Sequence, residues 1–394
     1  MIWSLLALVT AFAVSLYTIP VLIKVLQEKG LTDLPTEERK IHKRPVPTLG
    51  GVIIFAATFF AYGLWLNIDD LKLYYQIRHV LIDSKILLSA AMLIFFVGIK
   101  DDLIGTAPEK KIIAHFIAGV ILIVIGNIRL TGFHGILGLE EIPYALSFIF
   151  SFFVYIGLVN AINLIDGIDG LAGGVSALFA FFMGVFFLVF FNDYSLAILS
   201  FALFGSLCGF LVYNFSPAKI FMGDSGSLFI GLMTYFLSVN FIEYPVSDIP
   251  PQFVEYSKPL GAIALLVYPI TDTIRSFVIR ILRGQSPFIA SKDHLHHHLF
   301  NKTQSHSKTS LIIYAFTFIA FLISFLSYIL SPSLVLVILI LYTLLFIYFV
   351  LSNKKKNLEK MSANTPYLVI YNASAGSGKT TTLIREILKI IINN

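Results

Sequence analysis

Apolar runs of about 17 to 25 residues recur along the chain, near 1–26, 49–66, 84–100, 111–128, 143–162, 171–191, 195–214, 226–242, 258–282, 310–330 and 334–352. Each is long enough to cross the hydrocarbon core of a bilayer, and together they predict roughly eleven transmembrane segments. Inside a bilayer every backbone donor and acceptor must find its partner within the segment or a closed barrel, so runs of this length are helices. The predicted class is therefore an all-α polytopic membrane protein. Composition agrees: 57% of the 394 residues are hydrophobic, only 13% are charged, and 37 are Phe. The first run has no basic n-region and no small-residue cleavage site, so it reads as a retained helix and not a signal peptide. The single cysteine, Cys208, lies within a run, which excludes a disulfide framework or a cysteine-based zinc site within one chain.

The formal charge of +5 is unevenly distributed. Lys24, Lys29, Arg39, Lys40, Lys43 and Arg44 follow the first run, Lys100, Lys110 and Lys111 surround the loop after the third, and Arg283, Lys292, Lys302 and Lys308 follow the ninth. The positive-inside rule places these loops in the cytoplasm. The 243–256 segment "EYPVSDIPPQFVEY" carries acids and no Lys or Arg, as expected of the opposite face.

Polar signals collect in five segments: "HKRPVPTLGG" (42–51), "KDDLIGTAPEKK" (100–111), "NLIDGIDGLAGG" (163–174), "NFSPAKIFMGDSGS" (214–227) and "SPFIASKDHLHHHLF" (286–300). Two runs separate each successive pair, so span parity alone brings all five to one membrane face. Singly, each has a plain structural explanation: Asp-Gly pairs turn the chain, and Asp or Ser caps a helix. Together they gather Asp101, Asp102, Asp166, Asp169 and Asp224 at one surface, where like charges repel unless a cation sits among them. Oxygen-only ligands favour a hard ion, Mg²⁺ or alternatively Mn²⁺, which commonly completes its shell with substrate phosphates. The histidine-rich tract beside Asp293 and the basic residues of the same face suit the remaining phosphate charge. This chemistry points to phosphoryl transfer between a charged soluble substrate and a group held in the membrane.

"NAINLIDGIDGLAGG" (160–174), "YNFSPAKIFMGDSGSLFIG" (213–231), "PITDTIRSFVIRILRGQSPF" (269–288) and "DHLHHHL" (293–299) closely resemble the polyprenyl-phosphate N-acetylhexosamine-1-phosphate transferases. With "RPVPTLGG" and the Asp101–Asp102 pair in order, the likeness covers about residues 1–353. It implies transfer of a sugar 1-phosphate from a UDP-sugar to undecaprenyl phosphate, with release of UMP, as the first membrane step of a cell-envelope polysaccharide. The "NAINLIDGIDG" and "HLHHHL" wording favours UDP-N-acetylglucosamine or a related hexosamine over the phospho-MurNAc-pentapeptide relatives.

The resemblance implies Asp224 as a Mg²⁺ ligand, and Asp101 and Asp102 as the acidic pair that places the metal or deprotonates the lipid phosphate. Asp166 and Asp169 fall in the segment lining the catalytic site, and His294, His296 and His297 in the histidine motif that contacts phosphates. Lys43, Lys111, Asn163, Asn214, Asp272, Arg275 and His298 are the corresponding substrate-binding candidates. Glu109 and His115 stand where relatives often have Lys and Gln, which leaves those two positions without an inherited role. The implied partners are the UDP-sugar, undecaprenyl phosphate and the bilayer of a bacterial inner membrane, with no nucleic acid and with homodimerisation left open.

Beyond a basic junction at 354–360 the composition changes. Residues 361–394 read as a strand, "YLVIY", a P-loop, "NASAGSGKTT", and a helix, and resemble the start of a helicase-type nucleotide-binding domain. Gly378, Lys379 and Thr380 have the right spacing, while Ala373 replaces the first glycine. Met361 reads as a second start, at a junction between two reading frames. An ATP-driven membrane protein would need a Walker-B acid and the rest of a sheet, and a cation transporter would carry its aspartates near the bilayer midplane instead of at span ends. A lone strand cannot bury its faces or pair its edges, so this P-loop is expected to be vestigial. Deleting residues 361–394, or replacing Lys379→Ala, should leave UMP release unchanged. Loss of activity in either variant, or stimulation by ATP, would instead make the tail a regulatory module.

Overall fold

The computed structural model describes residues 1–33, 45–66, 74–284 and 293–352. The chain forms two compact units, Met1–Val350 and Leu351–Asn394. Lys43 and the P-loop residues Gly378, Lys379 and Thr380 lie outside the described residues. The first unit is an all-α membrane protein: α1 (Ile2–Glu28), α2 (Gly50–Trp65), α3 (Tyr74–Ile104), α4 (Pro108–Gly119), α5 (Tyr144–Leu164), α6 (Leu171–Val185), α7 (Tyr194–Asn214), α8 (Gly223–Ile242), α9 (Pro251–Val254), α10 (Lys258–Leu265), α11 (Val267–Leu282), α12 (Leu295–Thr303), α13 (His306–Ser324) and α14 (Pro332–Leu351). The one named sheet among the described residues is a two-residue antiparallel ladder of β1 (Thr32–Asp33) and β2 (Val46–Pro47), with Thr32 opposite Pro47.

Among the described residues eight helices are long and apolar enough to cross a bilayer, and nine if α10 and α11, bent by 71° at Leu266, form one span. This is fewer than the roughly eleven read from apolar length. The other two runs are present as helices but differ in kind. α2 has only 16 residues, about 24 Å at 1.5 Å per residue, short of the bilayer core. α4 opens on Glu109, Lys110 and Lys111 and continues as a π-helical segment, Val120–Ile125.

Helix α8 is the axis of the bundle. In its apolar stretch 94% of residues are buried, against 22% in α1 and in α14. Lipid offers apolar side chains as good a contact as protein does, so helices associate where small residues let backbones approach. A Cβ on Gly51 of α2 would stand 2.0 Å from the Gly226 nitrogen of α8, one on Gly98 of α3 2.5 Å from Ser225 Cα, and one on Gly231 of α8 2.6 Å from Val159 Cα of α5. A second seam joins α1 to α7, where a Cβ on Gly205 would meet the Leu8 carbonyl oxygen at 2.2 Å.

The 45–51 segment serves this same joint. Gly50 N–H donates to Phe221 O and Gly51 N–H to Met222 O, both at 2.9 Å, while Phe221 N–H returns a bond to Pro47 O at 2.8 Å. Leu49, at φ 73°, turns the chain into α2 between those bonds. The "RPVPTLGG" motif thus holds the residues that precede Asp224.

Because the neighbour of Gly51 is backbone, which cannot rotate away, Gly51→Ala should cost at least the roughly 1–3 kcal/mol typical of overpacking, a sizeable part of a margin of about 5–15 kcal/mol. Gly63→Ala on the same helix, with nothing within 4 Å of its Cβ position, should be tolerated. Thermal unfolding of the two variants in detergent tests the pair, and equal stabilities would remove the seam.

Candidate active site

Asp101 and Asp102 lie in the last turn of α3, not in a loop after it. A helix C-terminus is the unfavourable end for acids, so their charge must be met from elsewhere. Asp102 meets it at the N-terminus of α8. Asp102 Oδ1 accepts the Asp224 N–H at 2.7 Å and Oδ2 the Ser225 N–H at 3.0 Å. The sequence reads "MGDSGS" as a self-capped helix start, but Met222 at the cap position makes no side-chain bond. The cap comes instead from another helix, 122 residues away in the chain. Gly223 leaves room for it: a Cβ there would fall 2.6 Å from the Asp102 carboxylate.

Asp101 and Asp224 share one cation. Lys111 of α4 donates to Asp101 Oδ2 and to Asp224 Oδ2, each at 2.6 Å. Asn163, near the end of α5, donates from Nδ2 to Asp224 Oδ1 at 3.1 Å and to Ser227 Oγ at 2.8 Å. Three carboxylates, an amide and a serine hydroxyl thus converge from three helices, with a basic group already seated between two of the acids. The donors are oxygens, of the kind hard divalent ions prefer, and the Lys111 ammonium places a positive charge between Asp101 and Asp224.

The turn 165–170 joins α5 to α6, and its two aspartates part company. The Asp169 carboxylate accepts Ala218 N–H at 3.1 Å and stands 3.5 Å from His306 Nδ1, while its carbonyl accepts Ser310 Oγ–H at 3.0 Å. Asn214 accepts Gly170 N–H at 3.0 Å and donates to Ile220 O at 2.9 Å. Tyr314 donates to the Gly170 carbonyl. Asp169 and Asn214 are therefore bonded into the scaffold that fixes the turn, with bonding atoms turned to the chain itself. Asp166 differs: burial first, then the charges of Asp224, Asp102 and Asp169, push its carboxyl well above the usual carboxylate range. Without a counter-cation its neutral form is favoured, so stability falls as pH rises from the ordinary carboxylate value up to the raised one.

The histidine motif approaches the same turn from the other side. A Cβ on Gly167 would lie 3.0 Å from His296 Nε2 and 3.7 Å from His297 Cε1. His298 Nε2 is 2.7 Å from Asp293 Oδ1, and Asp293 is also held by Arg275 at 3.3 Å and Arg283 at 2.9 Å. Burial would raise the Asp293 carboxyl, but His298 and Arg275 outweigh it and hold it down at about 2. Burial above all lowers His297 to about 3, so it is a neutral imidazole at physiological pH. Asp272 is wholly buried, and with His294 and His296 it forms a group whose candidate ligand atoms lie within 4.8 Å of one another.

The structure thus assembles Asp101, Asp102, Lys111, Asn163 and Asp224 into one cluster, and Asp272, Arg275, His294, His296 and His298 into another, with the Asp166–Gly167 turn between. His115 is buried, with its Nδ1 lacking a hydrogen-bond partner. Sequence reading missed Ser227, Ser276, Arg280 and His306; the only available signal was the helical spacing of Ser276 and Arg280 from Asp272, by four and eight residues. The first cluster sits at helix ends, where a soluble phosphate compound can approach, while Asp272 and Arg275 lie in the middle of α11 and reach the start of α12.

Residues 84–242, which span both carboxylate helices and the 165–170 turn, match the model for glycosyl transferase family 4. The chain is 30% identical over 295 residues to the decaprenyl-phosphate N-acetylglucosaminephosphotransferase of Mycobacterium leprae, covering 70% of this chain and 72% of that one. It is 30% identical over 324 residues to the "Probable undecaprenyl-phosphate N-acetylglucosaminyl 1-phosphate transferase" of Bacillus subtilis, covering 79% and 82%. Against the undecaprenyl-phosphate alpha-N-acetylglucosaminyl 1-phosphate transferase of Escherichia coli O157:H7 the identity is 26% over 282 residues, or 70% of each chain. Motifs, their convergence on α8 and likeness over most of the length agree, and the chain belongs to the polyprenyl-phosphate N-acetylhexosamine-1-phosphate transferase family.

Proposed function

We propose that this protein transfers N-acetylglucosamine 1-phosphate, or a closely related hexosamine 1-phosphate, from its UDP derivative to undecaprenyl phosphate in the bacterial inner membrane, with Mg²⁺ and on the cytoplasmic face. The observation that carries this reading is the cluster of Asp101, Asp102, Asn163 and Asp224 around a cation position at the N-terminus of α8, in a chain whose relatives carry N-acetylglucosamine phosphotransferase names. Those names favour it over the phospho-MurNAc-pentapeptide alternative.

In the reaction an oxygen of the lipid phosphate bonds to the sugar-linked phosphorus, and the bond from that phosphorus to the bridging oxygen breaks, leaving the electron pair on UMP. A phosphate monoester has its second pKa near 6, so the acceptor is already largely deprotonated at neutral pH and needs no strong base. Asp224, with Asp101 and Asn163, would hold the ion. When bound, Mg²⁺ neutralises charge on the diphosphate and on the departing UMP. Asp102 has both oxygens committed to the α8 backbone, so its work is to aim Asp224. Lys111 is placed to move its charge from the carboxylates to a substrate phosphate. Neutral His297, at the edge of the same turn, suits a hydrogen bond to the substrate better than a fixed positive charge.

Membranes given undecaprenyl phosphate and a panel of UDP-sugars should release UMP fastest with UDP-N-acetylglucosamine or a near relative, and only with Mg²⁺ or Mn²⁺. Asp224→Asn should abolish turnover while the protein still inserts, and Asp101→Asn should lower it by about 10²-fold, the scale of a lost metal or acid-base contact. Full turnover in excess EDTA, or wild-type rates in Asp224→Asn, would refute the metal assignment. For the topology, Asn301→Cys in a Cys208→Ser background should react with an impermeant maleimide only after cells are opened, and Asn192→Cys should react in intact cells; the reverse pattern would invert the proposed orientation.

A further inference from the structure

One face of α11 is given over to the residues that begin the histidine motif. Asp272, Arg275, Ser276 and Arg280 follow at spacings of three, four and eight, which places them on a single helical stripe. Arg275 Nη1 donates to the Asp293 carbonyl at 2.7 Å, and Ser276 Oγ–H to the same oxygen at 3.3 Å. Asp272 Oδ1 accepts the Leu295 N–H at 2.5 Å, so a carboxylate from α11 takes one of the unpaired donors at the start of α12, whose own cap residue, His294, makes no side-chain cap bond. Asp272 Oδ2 lies 2.7 Å from His294 Nδ1, and the far nitrogen, His294 Nε2, lies 3.3 Å from Arg280 Nη2.

These two contacts leave His294 one consistent protonation state. A guanidinium nitrogen can only donate, so His294 Nε2 must accept and carry no proton. The ring proton then sits on Nδ1 and is donated to Asp272. The same logic argues against reading Asp272, His294 and His296 as a metal centre, despite their spacing. A metal on Nδ1 would put the proton on Nε2, where it would face the Arg280 donor instead of the acceptor that metal-bound histidines normally find.

We infer that Asp272 is a positioning residue, not a substrate contact. It fixes His294 as the Nδ1–H tautomer against Arg280, docks the start of α12, and so sets where His296 and His297 meet the Gly167 turn. With 0% exposure Asp272 cannot reach a substrate, while the His297 ring, half-buried and with no side-chain hydrogen bond among the described residues, is the imidazole the arrangement leaves available. The consequence for turnover rests on the proposed transferase reaction; the tautomer itself does not.

Asp272→Asn tests the point with little change in volume. The asparagine carbonyl can still accept from Leu295, but its NH₂ then faces His294 Nδ1 and demands an acceptor there, which moves the ring proton to Nε2 and sets it against Arg280. In substrate-free protein labelled with ¹⁵N-histidine, the wild type should show His294, assigned by its loss in His294→Gln, as the Nδ1–H tautomer, and Asp272→Asn should shift it to Nε2–H. UMP release by Asp272→Asn should fall by up to about 10²-fold, the scale of a misplaced site element, with Asp272→Glu recovering part of it. Arg280→Gln, which supplies an acceptor for Nε2–H, should make Asp272→Asn less damaging in the double variant than in the single one. An Nε2–H tautomer in the wild type, additive losses in the double variant, or stoichiometric zinc in the purified protein that disappears with Asp272→Asn would overturn the inference. Absence of UMP release from the wild type, with the tautomers as expected, would strike the proposed reaction and leave the positioning role standing.

Discussion

The carboxylate of Asp102 against the first turn of α8 is the contact on which the rest of the site depends. It satisfies two backbone donors that a helix start cannot pair internally, and it offsets the placement of two acids at the C-terminal end of α3. It also sets Asp224 in register with Asp101, so that one ammonium can lie 2.6 Å from both. The joint requires close backbones. Gly51, Gly98 and Gly223 provide that closeness, each with a neighbour standing where a side chain would be.

Charge is balanced differently on the two sides of the 165–170 turn. On the α3–α8 side the donors are oxygens, and the balancing charge is a lysine on a flexible stem. On the α11–α12 side the acids are held by arginine and histidine in fixed geometry, and Asp272 and Asp293 are each engaged by two or more partners. The first arrangement balances its acids with one mobile side chain. The second is built to keep a segment of chain in place.

This division explains why residues in one motif can have unlike duties. Asp166 and Asp169 are three residues apart, yet one feels the charges of the Asp224 cluster and the other bonds the loop at Ala218 and the start of α13. Asn214 and Tyr314 reinforce the second role by gripping Gly170 from both sides. Fixing the turn through Asp169 lets Asp166 and Gly167 stand between the two clusters without a helix to support them.

Hydropathy and residue order by themselves determined the class of the molecule, the helical runs, the five polar segments and the family, because apolar length and motif wording are local properties of the chain. The number of helices fit to cross was less legible: α2 falls short of the bilayer core, and α4 spends its first turn on charge. Partnership was not legible at all. Asp102 and Asp224 are 122 residues apart and Asp169 and His306 137, and no periodicity in either segment records the pairing. Only packing decided that Asp102 caps α8, that Lys111 bridges Asp101 and Asp224, and that Asp272 lies out of reach of any substrate. A hydrogen bond depends on distance and direction between groups, and those are set when the glycine seams bring the helices into contact.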